Sequence, residues 1–345
     1  MNTMLSLPTV ETRRPDTTSL LPLEQYDLAI VSFSGGKDSL AMLLNLLELR
    51  VPRDKIQLWH QHVDGEPGVE LNGFMDWPCT ASYCRAIAKG LGVRILFQWK
   101  HGGFEREMLR ENNLTAPVSY EQQDESIGTS GGKRGKLSTR LKFPQVSADL
   151  SVRWCSAYVK IDPCAMAIAG DPALKNSRIL FLTGERRQES TARSRYAEFE
   201  RHRCTNNARR VDQWRMVIDW TEQQVWEIIR RWRIVPHPAY RIGFSRVSCM
   251  ACIFGMADQW ASVRQVAPAK FARILEYERR FGISIKKGRT LEDQADAGSP
   301  YPECYDDDLV ALAMGHQYPE NLAFVSDGQE WQLPAGAYRR GGGPA

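Results

Sequence analysis

Apolar and polar positions along this chain alternate between short β-like runs and longer helical stretches. The pattern predicts a strand over Asp27–Phe33, built on Leu28-Ala29-Ile30-Val31, and then a helix over Ser39–Leu49. A second strand is expected over Ile56–Val63, a helix over Asp76–Leu91 and a third strand over Val93–Trp99. After a long irregular stretch, a helix is expected around Cys155–Ala169 and a strand over Ile179–Thr183. Met216–Ile218 reads as a short strand before a helix whose start is marked by Thr221, with Gln224 three residues on as a capping box. This β-α-β-α order predicts an α/β fold, a parallel sheet with helices on both faces. Ligands of such sheets sit beyond the carboxyl ends of the strands. Segments 34–39, 62–65 and 184–187 fall at such ends, and no internal repeat is visible.

The chain has 345 residues, enough for one large domain with an appendage or for two domains. Residues 1–22, rich in Thr, Pro and Ser, read as a flexible tail. An α/β domain is expected over 23–235 and a helical or irregular C-terminal lobe over 236–345. A hydrophobic content of 43% is that of a globular protein. No apolar run reaches membrane-spanning length, and the N-terminus lacks the apolar core of a signal peptide, so a cytoplasmic location without a membrane partner is expected. In that compartment eight cysteines argue for metal or redox chemistry over disulfides. A net charge of +4 is too small to establish a nucleic-acid partner, so where the cations lie matters more than their sum.

The most informative stretch is Ser32-Phe33-Ser34-Gly35-Gly36-Lys37-Asp38-Ser39, which follows the first strand. It describes a strand, a glycine turn and a helix starting at Asp38 or Ser39. Glycine permits positive φ and close approach of a ligand to the backbone. Helix-start N–H groups, the hydroxyls of Ser34 and Ser39 and the Lys37 ammonium then converge on an anion, naturally a pyrophosphate. A Walker A loop has a different spacing. The Ser-Gly-Gly-x-Asp-Ser pattern resembles the PP-loop of the AMP-forming ATP pyrophosphatases, whose superfamily includes sulfonucleotide reductases, tRNA thiolases and nucleic-acid sulfur-modification enzymes. The resemblance implies an adenine-nucleotide alpha-hydrolase-like, Rossmann-like fold, with ATP and Mg²⁺ as ligands.

Further matches extend over about residues 27–260. Arg153-Trp154-Cys155 with Lys160 and Pro163, and Gly184-Glu185-Arg186-Arg187-x-Glu189-Ser190, resemble segments of the phosphoadenosine phosphosulfate reductase-like branch. Ile218-Asp219-Trp220 with Val225-Trp226 is similar to that branch's helix start before a C-terminal lobe. By this resemblance Ser32, Ser34, Gly35, Gly36, Lys37, Asp38 and Ser39 bind the nucleotide, with Asp64, Lys160, Gly184, Arg187 and Arg193 around it. Lys37, Asp38 and Arg186 would then be the catalytic set.

Cys249-Met250-Ala251-Cys252 brings two thiols onto one centre, a spacing shared by zinc sites, iron–sulfur sites and redox pairs. Relatives with clusters combine such a pair with a cysteine at the Arg-Trp-Cys position. The resemblance therefore implies a [4Fe–4S] cluster on Cys155, Cys249 and Cys252. The fourth ligand stays open among Cys164, Cys204, Cys304 and an open iron, because Trp154 stands where adenylylsulfate reductases have a second cysteine. Cys79 and Cys84 read as packing residues.

Two basic segments remain. Residues 128–142 combine glycines with Lys133, Arg134, Lys136, Arg140 and Lys142, fitting either a mobile phosphate-binding loop or a solvated surface loop. Residues 186–215 hold nine arginines and no lysine, suiting bidentate recognition of phosphate or sulfate, with Arg186, Arg187 and Arg193 nearest a strand end. The expected function is an AMP-forming ATP pyrophosphatase that adenylates an acceptor for sulfur insertion, closest to the enzymes of bacterial DNA phosphorothioation. Expected partners are DNA or RNA, a cysteine desulfurase or other sulfur donor, and further sulfur-modification proteins. The alternatives are a tRNA thiolase and an adenylyl or phosphoadenylyl sulfate reductase. The reductase needs a mobile C-terminal cysteine nucleophile, usually before glycine; this chain has no Cys-Gly, and Glu303-Cys304-Tyr305 is its nearest fragment.

Overall fold

The computed structural model describes residues 20–68, 73–147, 149–247 and 249–339. The tail expected over 1–22 lies almost wholly outside them. The strands are β1 (Leu28–Ser32), β2 (Ile56–His62), β3 (Arg94–Lys100), β4 (Val118–Glu121), β5 (Ile127–Ser130), β6 (Arg178–Leu182), β7 (Phe199–Arg201) and β8 (Arg210–Trp214). They form one sheet in the order β5-β4-β3-β2-β1-β6-β8-β7. The five strands from β3 to β8 in that order run parallel. Antiparallel β4 and β5 extend one edge and antiparallel β7 the other.

Parallel central strands are covered on both faces, which is why β1 reads as a continuous apolar run. Leu28, Ala29, Ile30 and Val31 are all buried, and in register Ala29 stands between Ile56 and Leu180. The covering helices begin with α1 (Lys37–Glu48), α2 (Thr80–Leu91) and α3 (Gly103–Met108). α1 starts at Lys37, a residue or two earlier than expected, because Gly36 takes the N-cap. α2 starts at Thr80 and not at Asp76: Trp77 precedes Pro78, and a residue before proline is pushed out of helical geometry. The next helical stretch joins α4 (Trp154–Ser156), a π-helical turn (Ala157–Ile161) and α5 (Asp162–Gly170). π turns inside helices are commonly found at functional sites.

α6 (Glu222–Arg231) carries the expected capping box: Gln224 N–H donates to Thr221 Oγ1 at 3.2 Å and Thr221 N–H to Gln224 Oε1 at 2.8 Å. Met216–Ile218 is not a strand; the strand lies just upstream, at β8. β8 carries Arg210 and Asp212 at the sheet, where their charges satisfy one another at 2.8 Å. Tyr26 Oη also donates to Asp212 at 2.7 Å. Met216, Val217 and Ile218 are buried in the turn that follows.

The remaining helices are α7 (Pro238–Arg241), α8 (Ala257–Val266), α9 (Pro268–Phe281), α10 (Leu291–Asp296) and α11 (Asp307–Met314). Their apolar faces share one core with Phe74, Trp77, Phe104, Phe143 and Trp154 from the loops and helices at the sheet. Tyr240, Tyr318 and Ala323 pack instead into the core around β1 and α1. The C-terminal region thus meets the sheet beside α1. Among the described residues no helix is long and apolar enough to cross a membrane.

Candidate active site

β1 pairs with β2 on one side and β6 on the other, and successive crossovers diverge from this point. Such a switch leaves a crevice outside the carboxyl ends of the two strands. A cavity of about 780 Å³ opens there. Its floor is the turn after β1, and Gly35 makes that turn possible. Its φ is +75°, and a Cβ would stand 3.0 Å from Cys84 Sγ. A Cβ on Gly36 would press on Ser34 Oγ at 3.2 Å and the Val247 carbonyl at 3.3 Å.

Ser39 Oγ donates to the Gly36 carbonyl at 2.9 Å, and Gly36 N–H donates to Ser34 Oγ at 3.3 Å. The helical ladder begins with Leu40 N–H on the Gly36 carbonyl. The N–H groups of Lys37, Asp38 and Ser39 therefore lie ahead of it, at the positive end of α1. Lys37 N–H donates to Tyr240 Oη at 3.0 Å, so a residue of the C-terminal region helps fix the loop.

Lys37 is only 5% exposed, with its ammonium 3.4 Å from Asp38 and 3.9 Å from Glu222. Burial pushes the lysine pKa down, but Asp38, Tyr240 and Glu222 outweigh it and the net direction is up. Asp38 also receives Arg186 Nε at 2.6 Å. Burial pushes the Asp38 carboxyl up, while Lys37 and Arg186 together hold it below the usual range. Both Asp38 oxygens thus face cations, a geometry that supports a loop-orienting role.

Ser32, Ser34, Gly36, Lys37, Asp38, Ser39, Lys160, Gly184 and Arg193 line the cavity. Gly35 lies against Cys84 and Tyr83, and Arg186 stands beside Asp38 with its guanidinium also on Gln188 Oε1 at 2.9 Å. Two expected residues are placed elsewhere. Arg187 pairs with Asp219 at 2.6 Å and donates to the Ser194 and Tyr196 carbonyls, which ties down the loop behind the cavity. Asp64 accepts the backbone N–H groups of Met75 and Asp76 and so shapes that turn instead of the cavity wall. Arg193 reaches the cavity but is paired with Glu189, which Arg246 also approaches at 3.4 Å.

Arg153 is a cavity arginine with unpaired donors: its Nε and Nη1 are buried with no hydrogen-bond partner among the described residues. A buried donor left without an acceptor costs about 1–3 kcal/mol, so this guanidinium favours an incoming anion. The Arg-Trp-Cys segment was its signal in the sequence. Tyr240 and Arg246 had none, because only folding brings residues after 235 to α1.

Cys155, Cys249 and Cys252 all lie within electrostatic reach of Lys160, which itself lines the cavity. Burial pushes the Cys155 thiol up, while Lys160 opposes this and Cys252 adds to it. Burial likewise pushes Cys249 well up. The nearby Cys249 raises the Lys160 pKa most, with Asp76, Cys252 and Cys155 contributing. Cys79 faces His237 at 3.5 Å and Cys84 faces His60 at 3.7 Å. Cys164 and Cys204 are neighbours of each other. Cys304, expected in a mobile tail, is 3% exposed and donates to the Ile242 carbonyl at 3.5 Å. Among the described residues no three His, Cys, Asp or Glu side chains are placed to hold one metal ion.

Residues 29–254 match the phosphoadenosine phosphosulfate reductase domain. The chain belongs to this family. Its relatives include an uncharacterized 37.8 kDa protein in the gpa 5′ region of Escherichia phage 186, 28% identical over 76% of this chain and 77% of that protein. The adenosine 5′-phosphosulfate reductase of Neisseria meningitidis serogroup A is 31% identical over 29% of this chain and 36% of the reductase. That of Burkholderia cepacia is 26% identical over 28% of this chain and 35% of its own length. The chain therefore spans about a third of the reductases it matches. Members of the family are enzymes of adenine nucleotides, and the matched region contains the glycine turn, Arg153, Cys155, Cys249 and Cys252.

Proposed function

We propose that this family member is an AMP-forming ATP pyrophosphatase. The observation that carries the reading is the cradle at the start of α1, where N–H groups, two serine hydroxyls and the buried Lys37 ammonium surround space for a polyphosphate. The β- and γ-phosphates would lie on this cradle, and Arg153 would face the α-phosphate side of the same cavity. An acceptor oxygen then attacks the α-phosphorus, the bond from that phosphorus to the bridging oxygen breaks, and pyrophosphate leaves. The protein's contribution is to position the groups and neutralise developing charge. Mg²⁺ would arrive on the phosphates and supply further charge neutralisation.

The adenylated acceptor is a good leaving-group site for sulfur, and we extend the reading to sulfur insertion. The motif pattern of Cys155 with the Cys249-Met250-Ala251-Cys252 pair is the ground on which we assign a [4Fe–4S] cluster, the three thiols acting together on Lys160. Such a cluster would hold or steer sulfur at its open iron, or serve structure alone, with Lys160 balancing the thiolate charge. A nucleic-acid acceptor, as in DNA phosphorothioation, and a cysteine desulfurase as sulfur source complete the proposal.

The reductase reading is favoured by the named reductases among the relatives. Against it stands Cys304, whose thiol burial pushes up to about 11 and which packs inside the C-terminal region. A reductase nucleophile needs an exposed, activated thiolate. The deciding experiment supplies ATP in one assay and adenosine 5′-phosphosulfate with a dithiol reductant in another. AMP and pyrophosphate from the first and no sulfite from the second are expected. ADP and phosphate from ATP, or sulfite release, would overturn the reading.

A further inference from the structure

A second basic pocket lies on the far side of the wall that holds Arg153. Residues 150–154 divide the two spaces: Leu150 and Arg153 face the large cavity, while Ser151, Val152 and Trp154 face a smaller one of about 200 Å³. Arg110, Arg140 and Lys142 also line the smaller pocket, and no carboxylate does so among the described residues. The two arginines are 30 positions apart in the chain, yet Arg140 N–H donates to the Arg110 carbonyl at 2.7 Å. Asn112 N–H donates to Thr139 Oγ1 at 3.0 Å, and Asn113 and Ser138 exchange backbone bonds. The C-terminal end of the 128–142 segment is therefore anchored to the segment after α3, and Arg140 is a placed side chain.

The charge around this pocket is unbalanced. Glu107 is fully buried and takes both guanidiniums on one oxygen, Arg110 at 3.1 Å and Arg140 at 2.9 Å. Lys100, 3% exposed, joins the same network through Thr115, which donates to the other Glu107 oxygen. Glu107 thus serves two largely buried guanidiniums directly and buried Lys100 through Thr115, and Asp162 acts further on Lys100. The arginine side chains are only 10% and 9% exposed, and the Nε of each is buried with no partner among the described residues. Aromatic faces offset part of the excess: Arg140 lies 4.5 Å from the Trp154 ring centre and 4.9 Å from that of Tyr158. Buried cations in excess of their counter-charges are costly unless an anion joins them.

We propose that this pocket is a second anion site, separate from the α1 cradle, that binds a single phosphate group. Its volume is below the roughly 300–1,000 Å³ of small-molecule sites, so it suits a tetrahedral oxyanion and not a whole nucleotide. Guanidinium groups suit an oxyanion's geometry, Arg110 and Arg140 line the pocket, and exposed Lys142 closes the rim. The phosphate comes either free from solution or as a phosphodiester of a nucleic-acid strand running over the 150–154 wall toward Arg153. The proposal stands on the charge imbalance and does not depend on the ATP chemistry.

The test measures thermal stabilisation by inorganic phosphate, titrated against chloride at constant ionic strength. Lys37→Ala removes the cradle ammonium and should leave a phosphate-dependent shift in place. Lys142→Glu reverses the rim charge without touching the Glu107 network, and should weaken the Lys37→Ala protein's phosphate affinity about tenfold, as for one lost charge-assisted hydrogen bond. Arg140→Gln should abolish that shift, and Lys142→Glu serves if this variant fails to fold. A short single-stranded oligonucleotide, added with ATP present, identifies the source. Weaker binding to Lys142→Glu assigns the phosphodiester, and unchanged binding assigns free phosphate. Loss of all phosphate stabilisation in Lys37→Ala, or indifference of the remaining shift to Lys142→Glu, would overturn the proposal.

Discussion

Asp38→Asn tests the electrostatics of the loop directly. The substitution keeps the side-chain shape but removes the charge that Arg186 meets at 2.6 Å and Lys37 at 3.4 Å. Those cations are 4% and 5% exposed, so neither can recover full hydration. Their nearest remaining carboxylates are Glu222, at 3.9 Å from Lys37, and Glu189, which receives the Arg186 backbone N–H. Removing one partner of a buried pair costs about 3–5 kcal/mol. Asp38 keeps 19% exposure and Glu222 supplies partial compensation, so we expect a loss of about 2–3 kcal/mol at pH 7. The sign with pH follows from the depressed folded pKa of Asp38. Its contribution is complete above the unfolded value of about 3.9 and is lost as pH falls through the lower folded value. Urea unfolding of both proteins from pH 8 down to the acid limit of folding should show a constant gap that closes only at the acid end. Inorganic pyrophosphate should narrow the gap at pH 7, because it supplies the missing negative charge to the same cations. Stabilities within about 0.5 kcal/mol at pH 7, the scatter of ordinary surface substitutions, would refute the reasoning. So would a gap that shrinks as pH rises from 5 to 8.

Lys37→Ala should slow pyrophosphate release by the equivalent of about 2.7–4 kcal/mol, the loss typical of one charge-stabilising donor, as read in single-turnover assays with labelled ATP. Replacing Cys155, Cys249 or Cys252 by Ser should each bleach the broad iron–sulfur absorption of protein purified without oxygen, while Cys79→Ser should keep it; a colourless wild type holding zinc would remove the cluster from the proposal. Cys304→Ser should leave ATP turnover unchanged, since the thiol is packed away from the cavity. Gly35→Ala should weaken ATP binding and destabilise the fold by more than the roughly 1–2 kcal/mol of left-handed backbone strain, because the added methyl also meets Cys84 at 3.0 Å. Equal ATP affinity in calorimetry would show that the turn can relax.

The elements legible in the sequence were those with one dominant pattern. β1, β2, β3 and β6 are apolar runs from a sheet covered on both faces, and α6 carries its own cap. The edge strands β4, β5 and β7 escaped notice because they are short and mixed in polarity, so Val118-Ser119-Tyr120-Glu121 and Ile127-Gly128-Thr129-Ser130 read as loop although β4 is mostly buried. β8 was displaced onto Met216–Ile218 because its charged residues satisfy each other only after the sheet forms.

The glycine turn, its serines, Lys37 and Asp38 are contiguous, so the sequence alone placed them together in the turn after the first strand. It also carried the family, since residues 29–254 match the phosphoadenosine phosphosulfate reductase domain. Which cations remain available to a ligand was decided by the tertiary structure. Arg186, Arg187 and Arg193 look equivalent along the chain, yet folding gives them Asp38, Asp219 and Glu189 as counter-charges. Arg153 receives none at its Nε and Nη1 among the described residues, and Arg110 and Arg140 must share Glu107 with each other. An ion pair depends on distance and burial, and residues far apart in sequence acquire both only when the chain closes around them.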